Sequence, residues 1–208
     1  SLSYNPPPEK TKVQSTGVWF GLYTKYHFND KWAYYGEYHI RRRNGFKDMA
    51  QLYLRFGVTY TLAKYADLTV GIVNPYYWAP DQDDPNLDNV VPQFRTWEQL
   101  VFATPFDHIK LYHQLRFEQR YKRGYEKGSS FKLTHRFRYK ITLYVPLNKR
   151  AFENHTLFLS VYQEIFIQAG ESVIYNHLED SRTYAGLGYN LSEKLQVQAG
   201  YMYSFRHF

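Results

Sequence analysis

The chain has 208 residues, a formal net charge of +7, no cysteine, 22 tyrosines and 15 phenylalanines, yet its mean hydropathy is only -0.60. No run approaches the roughly 18 apolar residues of a membrane helix, which excludes a helical membrane protein. The lack of cysteine removes disulfide frameworks, thiolate metal sites and a lipidated cysteine, and the basic residues follow no helical period that would make a nucleic-acid reader.

Residues 1–16 include Pro6, Pro7 and Pro8 and little apolar content, so they read as an extended arm; 17–208 read as one domain. The arm opens without an initiating Met or an apolar signal core, as expected of a mature chain whose secretory signal has been removed. Ten alternating segments then follow: 18–28, 32–42, 49–62, 67–77, 93–103, 109–121, 131–145, 156–168, 182–191 and 195–207. Soluble strands centre on about 5 or 6 residues, whereas a tilted bilayer crossing takes roughly 9 to 11. These segments are of the second kind.

Faces separate cleanly in several of them. In 49–62, Leu52, Leu54, Phe56, Val58, Tyr60 and Leu62 oppose Gln51, Tyr53, Arg55, Gly57, Thr59 and Thr61. In 109–121 and 156–168 the split is similar, with His113, Gln119 and Gln163 as polar exceptions on the apolar side. Segment 93–103 has no clear sides, because Arg95, Trp97 and Gln99 oppose a face that mixes Glu98 with Phe94, Leu100 and Phe102. In 131–145, Lys132, Thr134, Arg136, Arg138, Lys140 and Thr142 alternate with Phe131, Leu133, Phe137, Tyr139, Ile141 and Leu143. A soluble sheet would turn the basic face to water, and a membrane barrel would turn the greasy face to lipid. The polar faces mix Gly57, Gly71, Gly186, Gly188 and Gly200 with Arg and Tyr. That suits a lumen in which long side chains cross toward small ones.

The runs "WFGLYTKYHFNDKWAYYGEYHIRRR" (19–43), "QLYLRFGVTYTL" (51–62), "HQLRFEQRY" (113–121), "HRFRYKI" (135–141) and "AGYMYSF" (199–205) resemble an uncharacterised family of outer-membrane-like barrels common in the Bacteroidota, a domain of unknown function. The resemblance covers nearly all of 18–208. It implies a cleaved signal, an outer-membrane address and a single β-barrel. Outer-membrane barrels usually end in a Phe in phase with the last strand's apolar face; Phe208 is out of phase with Tyr201, Tyr203 and Phe205. The connections at 29–31, 63–66, 104–108 and 192–194 are short, and those at 43–48, 78–92, 122–130 and 169–181 longer. Both termini fall on the long-loop side, so periplasmic termini would put the short turns outside, the reverse of the common pattern.

The strongest chemical signal is the basic polar face, where Lys25, Arg41, Arg55, Lys110, Arg116, Arg120, Lys132, Arg136, Arg138, Lys140 and Arg182 outnumber Glu37, Glu118 and Glu164. In a narrow barrel such charges must pair or keep water, which predicts a cross-linked lumen network; a ring of cations would instead favour small anions. "PDQDDPNLDN" (80–89) offers Asp81, Asp83, Asp84 and Asp88 as hard oxygen ligands, but lacks the Gly turn and closing Glu of a calcium loop. Asp107 with His108, and His177 with Asp180, are the only close His and Asp pairs, and adjacent strand residues point apart. His27 and His39 read as lumen or interface residues. "GYEKGSS" (124–130) lacks the Lys of a phosphate loop.

The reading is an all-β, single antiparallel transmembrane barrel of about ten strands in the bacterial outer membrane, with a side-chain-filled basic lumen and no catalytic site. It needs no cofactor, its surroundings are outer-membrane lipid and another outer-membrane protein, and nucleic acid is not a partner. The alternatives are a narrow anion-preferring channel, a lipid- or peptide-modifying enzyme, and a soluble barrel with an apolar inside.

Overall fold

The structure is a computed structural model that describes residues 14–170 and 177–206. The expected arm falls largely outside these residues, as does Phe208. Alternation of apolar and polar residues at period two makes strands throughout, and no helix occurs among the described residues. The strands are β1 (Gly17–His27), β2 (Trp32–Arg43), β3 (Asp48–Ala63), β4 (Ala66–Trp78), β5 (Val90–Pro92), β6 (Phe94–Pro105), β7 (Lys110–Lys122), β8 (Lys132–Pro146), β9 (Leu157–Ala169), β10 (Leu178–Asn190) and β11 (Gln196–Arg206). Their ends fall within two residues of the expected segments, apart from the start of β10 and the added β5, a short strand paired with the end of β4 inside the expected 78–92 connection.

Each long strand pairs antiparallel with the next in sequence, so the sheet is a simple meander. Turn chemistry explains two of the reversals. Asn29 Oδ1 accepts from the backbone N–H of Lys31 and Trp32 at 2.8 and 2.9 Å, closing the β1–β2 turn. Asn44 and Gly45 take positive φ values of 51° and 71° between β2 and β3. The sheet curls into a half-barrel. Arg182 on β10 reaches to 5.4 Å from the Trp19 ring on β1, and Arg116 on β7 meets Glu37 on β2 at 3.3 Å. The closure expected of a barrel is not seen among the described residues: β1 and β11 do not pair there and stand at the edges of the sheet. Most residues of both strands are exposed on both faces, which leaves that seam poorly packed.

Burial is inverted relative to a soluble sheet. Arg55, Arg95, Arg116 and Glu118 are all buried to 2% exposure or less, while Phe20, Leu22, Val58, Val70 and Phe117 are between 42% and 60% exposed on the convex side. Segment 93–103, which had no clear face, resolves the same way: Arg95, Trp97 and Gln99 turn inward and Glu98 outward. The polar exceptions on the convex side satisfy one another there. Gln119 accepts from Thr96 at 2.7 Å and donates to Glu98 at 3.2 Å, His113 bonds Tyr139 at 2.7 Å, and Gln163 bonds Ser181 and Thr183 at 2.9 and 2.5 Å.

Trp97 is the largest fully buried side chain among the described residues, and the bare backbone of Gly57 makes room for it. Gly57 and Gly71 face each other across β3 and β4. A Cβ on Gly57 would lie 2.9 Å from the Trp97 ring, and one on Gly71 would lie 1.9 Å from the Phe56 carbonyl oxygen. Gly71→Ala should therefore push the two strands apart and cost about 1–3 kcal/mol, the usual range for overpacking. The urea midpoint followed by tryptophan fluorescence checks this; an unchanged midpoint would show that β3 and β4 can separate freely at this point.

Candidate functional site

Antiparallel register decides which charges meet, because residues opposite each other share a face. Glu37 sits opposite Arg55, Glu118 between Trp97 and Arg136, Arg116 opposite Arg138, and Glu164 between Lys140 and Arg182. Curling then brings these rows together across the concave side. Glu118, 0% exposed, is the hub: Arg136 Nη2 stands 2.7 Å from it, Arg138 Nη1 3.0 Å, Arg95 Nη1 3.1 Å and Arg55 Nη2 3.5 Å. Arg138 also grips Glu164 through Nε and Nη2 at 3.1 and 3.2 Å. Arg136 continues to Glu179 at 3.2 Å, and Arg120 holds both oxygens of Glu179 at 3.1 and 3.0 Å.

Glu37 anchors the far end. It accepts from Tyr35 at 2.8 Å and from Arg116 at 3.3 Å. Trp19 Nε1 can only donate, and it donates to His39 Nδ1 at 2.7 Å. The proton of His39 is therefore on Nε2, which donates to Glu37 Oε1 at 2.7 Å. Aromatic plates separate the guanidinium groups. Arg55 and Arg116 lie 5.0 and 5.1 Å from Trp97, and Arg136, Arg138 and Arg182 lie 5.0, 4.5 and 4.3 Å from Phe166. The ring quadrupoles attract these cations, offsetting part of their mutual repulsion. Arg95 closes the array toward Tyr77, which in turn bonds Tyr53.

The array holds more positive than negative charge. Arg41, Arg55, Arg95, Arg116, Arg120, Arg136, Arg138, Lys140 and Arg182 face Glu37, Glu118, Glu164, Glu179 and Asp180. The nitrogens Arg41 Nε, Arg55 Nη1, Arg95 Nε and Arg120 Nε are buried with no hydrogen-bond partner among the described residues.

All nine residues singled out from sequence lie on this concave face: Glu37, Arg55, Arg116, Glu118, Arg120, Arg136, Arg138, Glu164 and Arg182. Sequence reasoning missed Arg95, which fell in the segment without clear sides, and Glu179 with Asp180, which fell in an expected connection. The last two depend on a β-bulge: the β9–β10 register slips between Leu178 and Asp180, so both neighbouring carboxylates reach the concave side. Asp180 there binds Arg182 at 2.9 Å and accepts from Ser204 at 2.7 Å. No alternation rule gives two adjacent inward residues.

Three of the four acidic-loop candidates have local partners. Asp81 Oδ1 and Asp84 Oδ1 each accept the backbone N–H two residues on, and Asp88 pairs with Arg123 at 2.8 Å. Asp83 joins no convergent set, and no three His, Asp or Glu groups among the described residues come together to hold a metal ion. Asp107 and His108 are exposed in the β6–β7 turn, and His177 bonds the Gln168 carbonyl instead of Asp180.

Residues 16–208 match one protein family, described as "Protein of unknown function (DUF2490)". No curated protein and no solved structure matches the chain.

Proposed function

We propose, from the premise that the chain belongs to this family of unknown function, that it is an integral β-barrel of the bacterial outer membrane whose basic lumen is sealed by its own side chains. In this reading it performs no chemistry. It serves as a structural or partner subunit of an envelope assembly, with lipid and a second outer-membrane protein against its outer wall.

The observation that carries the reading is the inverted burial. A half-barrel with arginines at its centre and Phe20, Leu22, Val58 and Val70 on its outside is unfavourable in water, because that much apolar surface would stay wet. In a bilayer the same surface meets hydrocarbon, and the strand lengths of 11 to 16 residues in the long strands suffice for a tilted crossing. Sealing the β1–β11 seam inside lipid removes unpaired backbone groups, which cost several kcal/mol each there. The partner role draws support from outward aromatic pairs such as Phe117 and Phe137, whose ring centres are 4.9 Å apart. An excess of interior cations favours the second reading, a narrow anion-preferring channel.

Leu54→Arg tests the membrane assignment. Leu54 lies on the convex side near the middle of β3. The substitution should cost about 2–4 kcal/mol in lipid vesicles, as expected of Arg at the midplane of an outer-membrane barrel. The urea midpoint of vesicle-reconstituted protein reads it. Wild-type stability of the variant in vesicles would remove the membrane reading, since a half-exposed Leu facing water tolerates Arg.

A further inference from the structure

At the end of the sheet where β8 turns into β9, the concave side opens into a cavity of about 990 Å³. β7 contributes Lys110, Tyr112 and Gln114 to it, and β8 contributes Lys140 and Tyr144. The connection 147–156 supplies Phe152. The ion-pair network begins immediately beyond the floor. Arg138, which clamps Glu118 and Glu164, shares the face of Lys140 one alternation deeper along β8. The cavity forms a cup at this end of the concave side.

One wall of the cup is aromatic and rigid. Phe158 is fully buried, seated where Gly188 leaves space: a Cβ there would lie 2.0 Å from its ring. Against Phe158 pack Tyr144 at 5.8 Å and Phe152 at 5.7 Å, and Tyr112 meets Tyr144 edge-on at 5.7 Å. The connection that carries Phe152 is tied in place. Thr156 Oγ1 donates to the Glu153 carbonyl at 2.8 Å and accepts from its N–H at 3.0 Å, and Lys149 donates to the Asn154 carbonyl at 2.6 Å.

The cup keeps an excess of positive charge: Lys110, Lys140, Lys149 and Lys194 line it against Glu153 and Glu193, Lys149 pairs with Glu153 at 3.0 Å, and Lys140 has Glu164 opposite it on β9. Lys110 Nζ lies 4.6 Å from the Phe152 ring and Lys140 Nζ 5.1 Å from that of Tyr162, and neither forms an ion pair among the described residues. Directly opposite Lys140 in the register stands the amide of Gln114. Ring surfaces, an amide and ammonium groups in excess over carboxylates suit a ligand with a flat hydroxylated body and a negative group. A fatty chain would find the polar floor of Gln114, Thr142 and Lys140 unfavourable, and a bare anion would leave the aromatic wall unused.

We propose that this cup binds an anionic saccharide, a sugar ring bearing a phosphate or a carboxylate, entering from the aqueous end. The ring rests on the wall of Tyr144 and Phe152, its hydroxyls bond Gln114, and its charge lies between Lys110 and Lys140. The network beneath closes the way onward, so the ligand is held and not passed. The site is independent of whether the wall meets lipid, because binding is read on folded protein in detergent micelles.

Isothermal titration of that protein with glucose 1-phosphate, glucuronate, glucose and inorganic phosphate is the test. At least one of the two charged sugars should bind, and glucose and phosphate should bind at least about tenfold more weakly, the loss expected when one charged hydrogen bond or one stacking surface is missing. Lys110→Gln and Phe152→Ala should each weaken the charged sugar by about tenfold; both lie outside the network, and circular dichroism should report unchanged strand content. No binding of either charged sugar, phosphate binding as tight as theirs, or affinity untouched by both substitutions would each overturn the proposal.

Discussion

Glu118→Gln should lower stability by about 3–5 kcal/mol, the range for removing one partner of a fully buried ion pair. The neutral amide keeps the shape of the side chain but takes away the single negative charge that Arg55, Arg95, Arg136 and Arg138 all face. Four guanidinium groups would then repel one another in a space that water does not enter freely. Urea unfolding in vesicles or detergent, followed by tryptophan fluorescence, measures the loss, and a compact band in unheated gels reports whether the barrel assembles at all. Glu179→Gln is the internal comparison. Its side chain is 24% exposed and pairs with Arg120 and Arg136, so water screens what remains and the loss should be clearly smaller. Equal effects of the two substitutions would mean that Glu118 is one carboxylate among several and not the hub.

The second large effect is electrical. Wild-type protein in planar bilayers should show no conductance above background, because Arg136 and Arg138 span the interior between Glu118, Glu164 and Glu179 and occupy the space an ion would need. A barrel of eight strands is already just filled by side chains, and two more strands widen it modestly. Truncating both arginines to Ala should open a small current. That current should favour anions, since Arg55, Arg95, Arg116, Arg120 and Arg182 remain. A robust anion current from unmodified protein would discard the sealed-lumen reading and promote the channel.

Much of this was legible in the amino-acid order alone. Strand positions follow from period two, and so does the grouping of Glu37, Arg55, Arg116, Glu118, Arg136 and Arg138 on one face, because alternation along a strand is a local property. The tertiary structure alone decided the rest. The inward turn of Arg95 and Trp97 depends on their neighbours in β4 and β7, since Glu98 on the other face obscures the local pattern. The recruitment of Glu179 and Asp180 depends on a register slip against β9, a relation between the hydrogen bonds of two strands that no single segment encodes. That Glu118 is the hub, while Glu164 serves chiefly Arg138, depends on the curl, which sets which rows of side chains meet across the concave space. The openness of the β1–β11 edge has the same origin: sequence specifies which residues can form a strand, but a strand's last partner is chosen only by how far the whole sheet bends.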